Sequence, residues 1–323
     1  MPAPDPKIEL HVHLEGTVRP DTLRAIAKRN DYALPDDLES SYEFRDFAHF
    51  LEAFVLTTGA LQHYEDFRDL VVAYAGEAKD HGAVYIEAIF APRILHGLDT
   101  DEVFSGYCDG AQEARELHGV EVRLTPDIPR VYTLEDAMTT ARYAVKYGDR
   151  GVVGIGLGGP EEGHPPEPYA EAFALAREGG LASVPHAGES AGAESVRGAL
   201  ETLGADRIRH GVRAIEDSGL VAELAGRGTV LDVCPISNLR LGIVRSLEEH
   251  PLPQLVAAGI RCSISTDDPA IFDTDLTRDY EAAASLGVSP RAAYEAGLAG
   301  ALCDAQTREH LRRIGDSHDW ADR

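Results

Sequence analysis

Eight short apolar segments recur along the chain, and stretches with helical periodicity lie between them. This alternation constrains the fold more than any other feature. The segments are Ile8–His13, Ala83–Phe90, Val120–Ile128, Gly151–Gly158, Ala182–His186, Arg207–His210, Thr229–Cys234 and Ile260–Ser265. Most are rich in Val, Ile and Leu. Between them lie amphipathic stretches such as Ala111–His118, Leu134–Tyr147, Ala170–Glu178 and Gly192–Leu203. Strands that alternate with helices build a parallel sheet, and eight such units predict a closed (β/α)8 barrel of the TIM type rather than an open doubly wound sheet.

With 323 residues the chain is long enough for one such barrel, so the expectation is a single catalytic domain over residues 1–323. No apolar run reaches the roughly 20 residues that span a bilayer, and Met1 to Lys7 carries no apolar core of a secretion signal. Cys108, Cys234, Cys262 and Cys303 are scattered, without a CxxC pair, which fits reduced thiols in a cytoplasmic protein. A net charge of −25 repels nucleic acids and anionic membranes, leaving a small molecule as the expected partner.

The connection after the first strand is much longer than the others. At about residues 40–65 it holds Phe44, Phe47, Phe50, Leu51 and Phe54. The last four fall at i, i+3, i+4 and i+7, one face of a helix, and so form either core packing or an apolar lid over the strand ends.

The chemistry gathers at the C-terminal ends of the predicted strands. In Glu9-Leu10-His11-Val12-His13 the two imidazoles point to the same side of a strand. His186 ends the fifth segment, His210 the sixth, and Asp267 and Asp268 the eighth. Barrel strand ends converge on one mouth, so these residues meet there although they are far apart in sequence. His11, His13, His186 and Asp267 supply the ligand types of a catalytic zinc site with a position left for water, whose pKa the metal lowers to about 7. Glu189, three residues after His186, is placed as an acid or base. His210 is a candidate to orient the water or take its proton. Asp268 precedes Pro269, which holds it extended. Adjacent extended residues point apart, so Asp267 can bind metal while Asp268 faces the substrate.

These residues sit in the motifs Pro6-Lys7-Ile8-Glu9-Leu10-His11-Val12-His13-Leu14-Glu15-Gly16, His186-Ala187-Gly188-Glu189, Ile208-Arg209-His210-Gly211, Cys234-Pro235-Ile236-Ser237-Asn238 and Ser265-Thr266-Asp267-Asp268-Pro269. Together and in this order they resemble the adenosine deaminase branch of the amidohydrolase superfamily, over nearly the whole chain. The resemblance implies hydrolytic removal of the 6-amino group of an adenine nucleoside, with one zinc ion per chain on His11, His13, His186 and Asp267. It implies that Glu189 protonates purine N1, that His210 assists the attacking oxygen, and that Asp268 binds that oxygen and N7. It also implies that the Gly159 backbone N–H contacts N3, and that Phe47, Phe50, Leu51 and Phe54 form the apolar lid.

Three departures from the family pattern bear on the substrate. Glu15 replaces an Asp expected near the ribose. Ile89 stands where an Arg is common. The fourth strand ends Gly156-Leu157-Gly158-Gly159-Pro160-Glu161 instead of the more acidic Asp-Leu-Ala-Gly-Asp-Glu. That segment also lacks the Leu-Asp-Ser-Ser-Glu run associated with adenine enzymes, and no Lys in Val152–Gly159 could bridge two metals. A carboxylate at Glu15 could accept from a sugar hydroxyl, which favours a nucleoside over free adenine. Adenosine is the simplest expectation; 6-aminodeoxyfutalosine, a 5′-modified nucleoside of menaquinone synthesis, and adenine are the alternatives. The carboxylate of 6-aminodeoxyfutalosine would want a cation, for which Arg19, Arg45 and Arg93 are candidates.

Overall fold

A computed structural model describes residues 4–43, 47–92 and 97–320. Among the described residues, nine strands run in order: β1 (Lys7–His13), β2 (Ala83–Phe90), β3 (Glu121–Pro129), β4 (Gly154–Gly158), β5 (Ala182–Ser183), β6 (His186–Ala187), β7 (Arg207–His210), β8 (Val230–Val233) and β9 (Arg261–Ile264). All pairings are parallel, in the orders β1-β2-β3-β4-β5 and β6-β7-β8-β9. The expected fifth strand is thus split in two. Pro185 lies between its halves and lacks the N–H that a central strand must donate. Val184 still donates to the Ile155 carbonyl and Arg209 to that of Pro185, so the two halves form one stave joining both sheets.

The other seam is closed by a parallel bridge between Val12 and Asp267, where His13 N–H donates to Asp267 and Asp267 N–H to His11. Eight parallel staves therefore make a ring, as the alternation predicted. The expected fourth strand begins at Gly154 rather than Gly151, which turns with φ 102°. β1 is buried along nearly its whole length, as in a strand covered on both sides.

The helices between the staves follow the apolar periodicity. They include α1 (Pro20–Arg29), α2 (Phe47–Ala60), α3 (Tyr64–Asp80), α4 (Thr100–His118), α5 (Leu134–Lys146), α6 (Ala170–Glu178), α7 (Ala193–Thr202) and α8 (Ser218–Arg227). After β8 come α9 (Pro235–Arg240) and α10 (Leu252–Ala257); α11 (Leu276–Ser285), α12 (Pro290–Gly300) and α13 (Ala305–Ser317) follow β9. Their ends carry ordinary signals: Thr133 caps α5 through Asp136 N–H, and Gly119 closes α4 in the left-handed region at φ 71°. None of the described helices is long and apolar enough to cross a membrane.

The long first connection contains α1, α2 and α3. On α2, Phe50 and Phe54 are buried, with Phe50 stacked on Phe272 at 5.2 Å and Phe54 edge-on to His13 at 6.0 Å. Of the other lid candidates, Leu51 is partly buried, and the Phe47 side chain lies outside the described residues, as do Phe44, Arg45 and Arg93.

Candidate active site

At the C-terminal ends of the staves, β1 delivers His11 and His13, β6 His186, β7 His210, and the segments after β6 and β9 deliver Glu189, Asp267 and Asp268. The imidazoles of His11, His13 and His186 turn their Nε2 atoms toward one point. His186 Nε2 lies 3.1 Å from that of His11 and 3.2 Å from that of His13, and Asp267 Oδ1 is 3.3 and 3.4 Å from His11 and His13. The opposite ring nitrogens face acceptors: His186 Nδ1 donates to the Leu157 carbonyl and His11 Nδ1 to that of Asp232. Both rings therefore carry their proton on Nδ1 and present an Nε2 lone pair inward.

Lone pairs that face each other at hydrogen-bond distance repel unless a cation lies among them, so this donor set fits a metal. Burial pushes His11 down to about 3 and His13 to about 4, keeping both neutral, the form that coordinates. Ser237 donates to Asp267 Oδ2 at 2.6 Å and orients it. Donor atoms of His11, His186, His210 and Asp267 lie within 4.8 Å of one another, and overlapping groups join His13 to Asp127 and His186 or to Asp267 and Asp268.

Two of these residues sit on unusual backbone. His210 has φ 60° and Asp267 φ 68°, left-handed values that cost a non-glycine residue free energy and cluster at functional sites. Glu189 is turned inward by a cradle: Glu161 accepts from the N–H groups of Gly188 (2.8 Å), Glu189 (2.8 Å) and Ser190 (2.9 Å). Burial, with Asp267 and Glu161 nearby, raises the Glu189 carboxyl well above its ordinary range. His210 Nε2 lies 3.5 Å from Glu189 Oε1 and 3.7 Å from Asp267 Oδ2.

The cavity above this floor encloses about 920 Å³, its open mouth included. Gly159, Glu189, His210, Asp267 and Asp268 line its floor; Phe50, Leu51 and Phe54 line one wall. Gly159 turns at φ 88°, which a side chain would strain. Val55 and Val131 stand at the rim, 55 % and 62 % exposed, with Tyr132 and Leu241 nearby.

Two expectations from the sequence change here. Glu15, expected at a sugar hydroxyl, is buried behind the lining: its Oε1 accepts from Ala91 N–H (3.0 Å) and the Tyr107 hydroxyl (3.2 Å), and its Oε2 has no hydrogen-bond partner among the described residues. Ala91 is the wall residue it holds. Arg19 is committed to Glu77 and to the Pro269 and Thr274 carbonyls, so it is not available as a mouth cation.

The structure also brings in residues to which the sequence reading gave no role. Asp127, at the end of β3, lies 3.2 Å from His186 Nδ1 and pairs with Arg209. It fills the space of the side chain absent at Gly156, where an added Cβ would stand 2.0 Å from Asp127 Oδ1 and 2.2 Å from the Arg209 guanidinium. A charged residue in the apolar run Leu124–Ile128 was the signal for Asp127.

The family model described as adenosine deaminase matches residues 6–314. The chain belongs to the adenosine deaminase family. Among this deaminase's relatives, an aminodeoxyfutalosine deaminase from Acidothermus cellulolyticus is 52% identical over 98% of this chain and 92% of that protein. The solved adenine deaminase from Arthrobacter aurescens is 30% identical, with TM-score 0.91, covering 96% of this chain and 98% of that one. An amidohydrolase from Burkholderia ambifaria, solved with bound Zn, is 26% identical with TM-score 0.90, covering 97% and 90%.

Proposed function

We propose that this deaminase removes the 6-amino group of a 5′-extended adenine nucleoside, aminodeoxyfutalosine, in one catalytic barrel domain that holds a single zinc ion on His11, His13, His186 and Asp267. Adenosine, the simplest expectation from the sequence, gives way to this alternative on one observation, the apolar rim. Exposed valines at a cavity mouth lose hydration cost only when a ligand covers them. Free adenine would be taken up by the polar floor and leave Val55 and Val131 wet, whereas an aromatic arm on the 5′ carbon would pack against them and Tyr132. The strong identity to the Acidothermus protein supports the same reading.

Bound zinc would act as a Lewis acid that activates water for attack on the ring. The protein's groups do the rest. Glu189, which keeps its proton in its buried setting, donates it to purine N1 and makes C6 electrophilic. Asp268 meets N7 and the Gly159 N–H meets N3, so the ring is fixed along three edges. Phe50, Leu51 and Phe54 exclude water from that face, and Glu15 acts on the substrate only through the wall at Ala91.

The test compares kcat/KM for adenine, adenosine, AMP and 6-aminodeoxyfutalosine at one pH. The extended nucleoside should be the best substrate. Val131→Asp should lower its kcat/KM about tenfold or more, the scale of burying one Val side chain, with adenosine nearly unaffected. Adenine, adenosine or AMP as the best substrate overturns the assignment.

A further inference from the structure

The outer nitrogens of His11 and His186 face backbone carbonyls, whereas that of His210 faces a side-chain amide. That side chain, Asn238 on α9, leads to a fourth buried histidine well away from the metal donors. The contacts form a line. Asn238 Nδ2 is 3.3 Å from His210 Nδ1, His250 Nε2 is 3.1 Å from Asn238 Oδ1, and His250 Nδ1 is 3.0 Å from the Leu252 backbone N–H. All three side chains are 1 % exposed or less.

The direction of this line follows from its last member. Leu252 opens α10, where the first N–H groups have no partner in the helix, and a backbone N–H can only donate. His250 Nδ1 must accept, so the proton of the neutral ring is on Nε2. Burial supports that neutral state, holding His250 down at about 4. Nε2–H then donates to an oxygen, which fixes the Asn238 amide with Oδ1 toward His250 and Nδ2 toward His210. An amide NH₂ donates too, so His210 Nδ1 must accept. The proton of neutral His210 is left on Nε2, facing Glu189 Oε1 and Asp267 Oδ2. Reversing any one bond sets two donors against each other, ending at the Leu252 N–H, which cannot reverse.

We propose that Asn238 and His250 are positioning residues that lock His210 in the Nε2–H tautomer, so that it serves the site as a fixed hydrogen-bond donor and neither as a metal ligand nor as a proton acceptor at Nε2. The contrast with His11 and His186 supplies the logic. Backbone carbonyls at their outer nitrogens leave Nε2 lone pairs pointing inward, whereas an amide NH₂ at the outer nitrogen of His210 leaves an N–H pointing inward. The His210 ring is thereby excluded from the donor set although its donor atom lies within 4.8 Å of those of His11, His186 and Asp267. The argument rests on the deaminase reading only in assigning His210 to the reaction; the tautomer itself is independent of any substrate.

The experiment reads the tautomer directly, by ¹H–¹⁵N correlation spectra of the histidine rings in the zinc-loaded enzyme, with kcat and KM alongside. Wild type should show His210 protonated on Nε2 and bare on Nδ1. Asn238→Asp, whose carboxylate accepts, should move the proton to Nδ1. His250→Gln can still accept from Leu252 and donate to Asn238, and should keep the wild-type tautomer and most activity. His250→Leu should lose the single tautomer and drop kcat about 10–100-fold, the range for supporting partners of this kind, with KM little changed. A His210 protonated on Nδ1 in wild type, or His250→Leu matching His250→Gln in both spectrum and kcat, overturns the proposal. A wild-type spectrum as expected in an enzyme that fails to deaminate aminodeoxyfutalosine would sink the functional reading alone.

Discussion

His210 and Asp267 hold left-handed backbone at the ends of two staves, and each would be more relaxed as Gly or Asn. The side chains they carry explain why they are neither. His210 contributes its ring, and the carboxylate of Asp267 lies beside the imidazoles of His11 and His13. Beside them, Glu189 is the residue with the sharpest expected phenotype. Glu189→Gln keeps the shape and the Glu161 cradle around its backbone N–H but cannot deliver a proton to N1. It should retain its metal and lose about 10²–10⁴-fold in kcat, measured by ammonia release. A variant within a few-fold of wild type shows that the acid lies elsewhere. Glu189 was visible in the sequence because it follows His186 across a short turn. Asp127 was marked there only as a charge in an apolar run, because its partners His186 and Arg209 reach it only through the barrel.

Among the elements, α9 carries two of the supporting side chains, Ser237 on Asp267 and Asn238 on His210. Its first turn is held from α11: Asp279 Oδ1 accepts from Ile236 N–H at 3.1 Å and Oδ2 from Thr274 at 2.9 Å. Burial raises the Asp279 carboxyl to about 8 from an ordinary 3.8, against the pull of those two hydrogen bonds. The folded protein thus keeps a proton that the unfolded chain releases, and stability from this group falls as pH rises from 3.8 through about 8. Asp279→Asn mimics the protonated side chain. Its urea denaturation midpoint should decline less steeply than that of wild type between pH 5 and 9, and parallel curves would show that Asp279 does not carry the slope. Helices such as α5 and α6 were legible from their apolar periodicity. The break between β5 and β6 was not drawn from the sequence, although Pro185 announces it.

At the scale of the molecule, the ring is sewn at two places, the Pro185 stave and the Val12–Asp267 seam, and the proposed metal donors straddle both. His11 and His13 stand on one side of the second seam, Asp267 on the other, and His186 just beyond the first. A ligand that binds only the folded state stabilises it by mass action, about 4 kcal/mol at a thousand times its Kd. Zinc removal by a chelator should therefore lower Tm by several degrees and abolish activity, and added zinc should restore both. In His13→Ala the chelator should change Tm little. An equal Tm with and without metal in wild type would place the donors outside the folded seam.

The sequence by itself determined the eight-stave alternation and the residue types at the stave ends, because strand and helix periodicities are local and barrel strands all point the same way. From those two facts the floor of the site follows. Only the tertiary structure decided what stands behind and above it. Asp127 takes the space vacated at Gly156, Glu15 turns away from the cavity to Ala91 and Tyr107, and Val55 and Val131 line one cavity although 76 residues apart by their numbers. The tautomer of His210 is the extreme case. It depends on which way four successive hydrogen-bonding groups point, and that direction starts from a backbone N–H at the head of α10, more than 40 residues along the chain from the ring it controls.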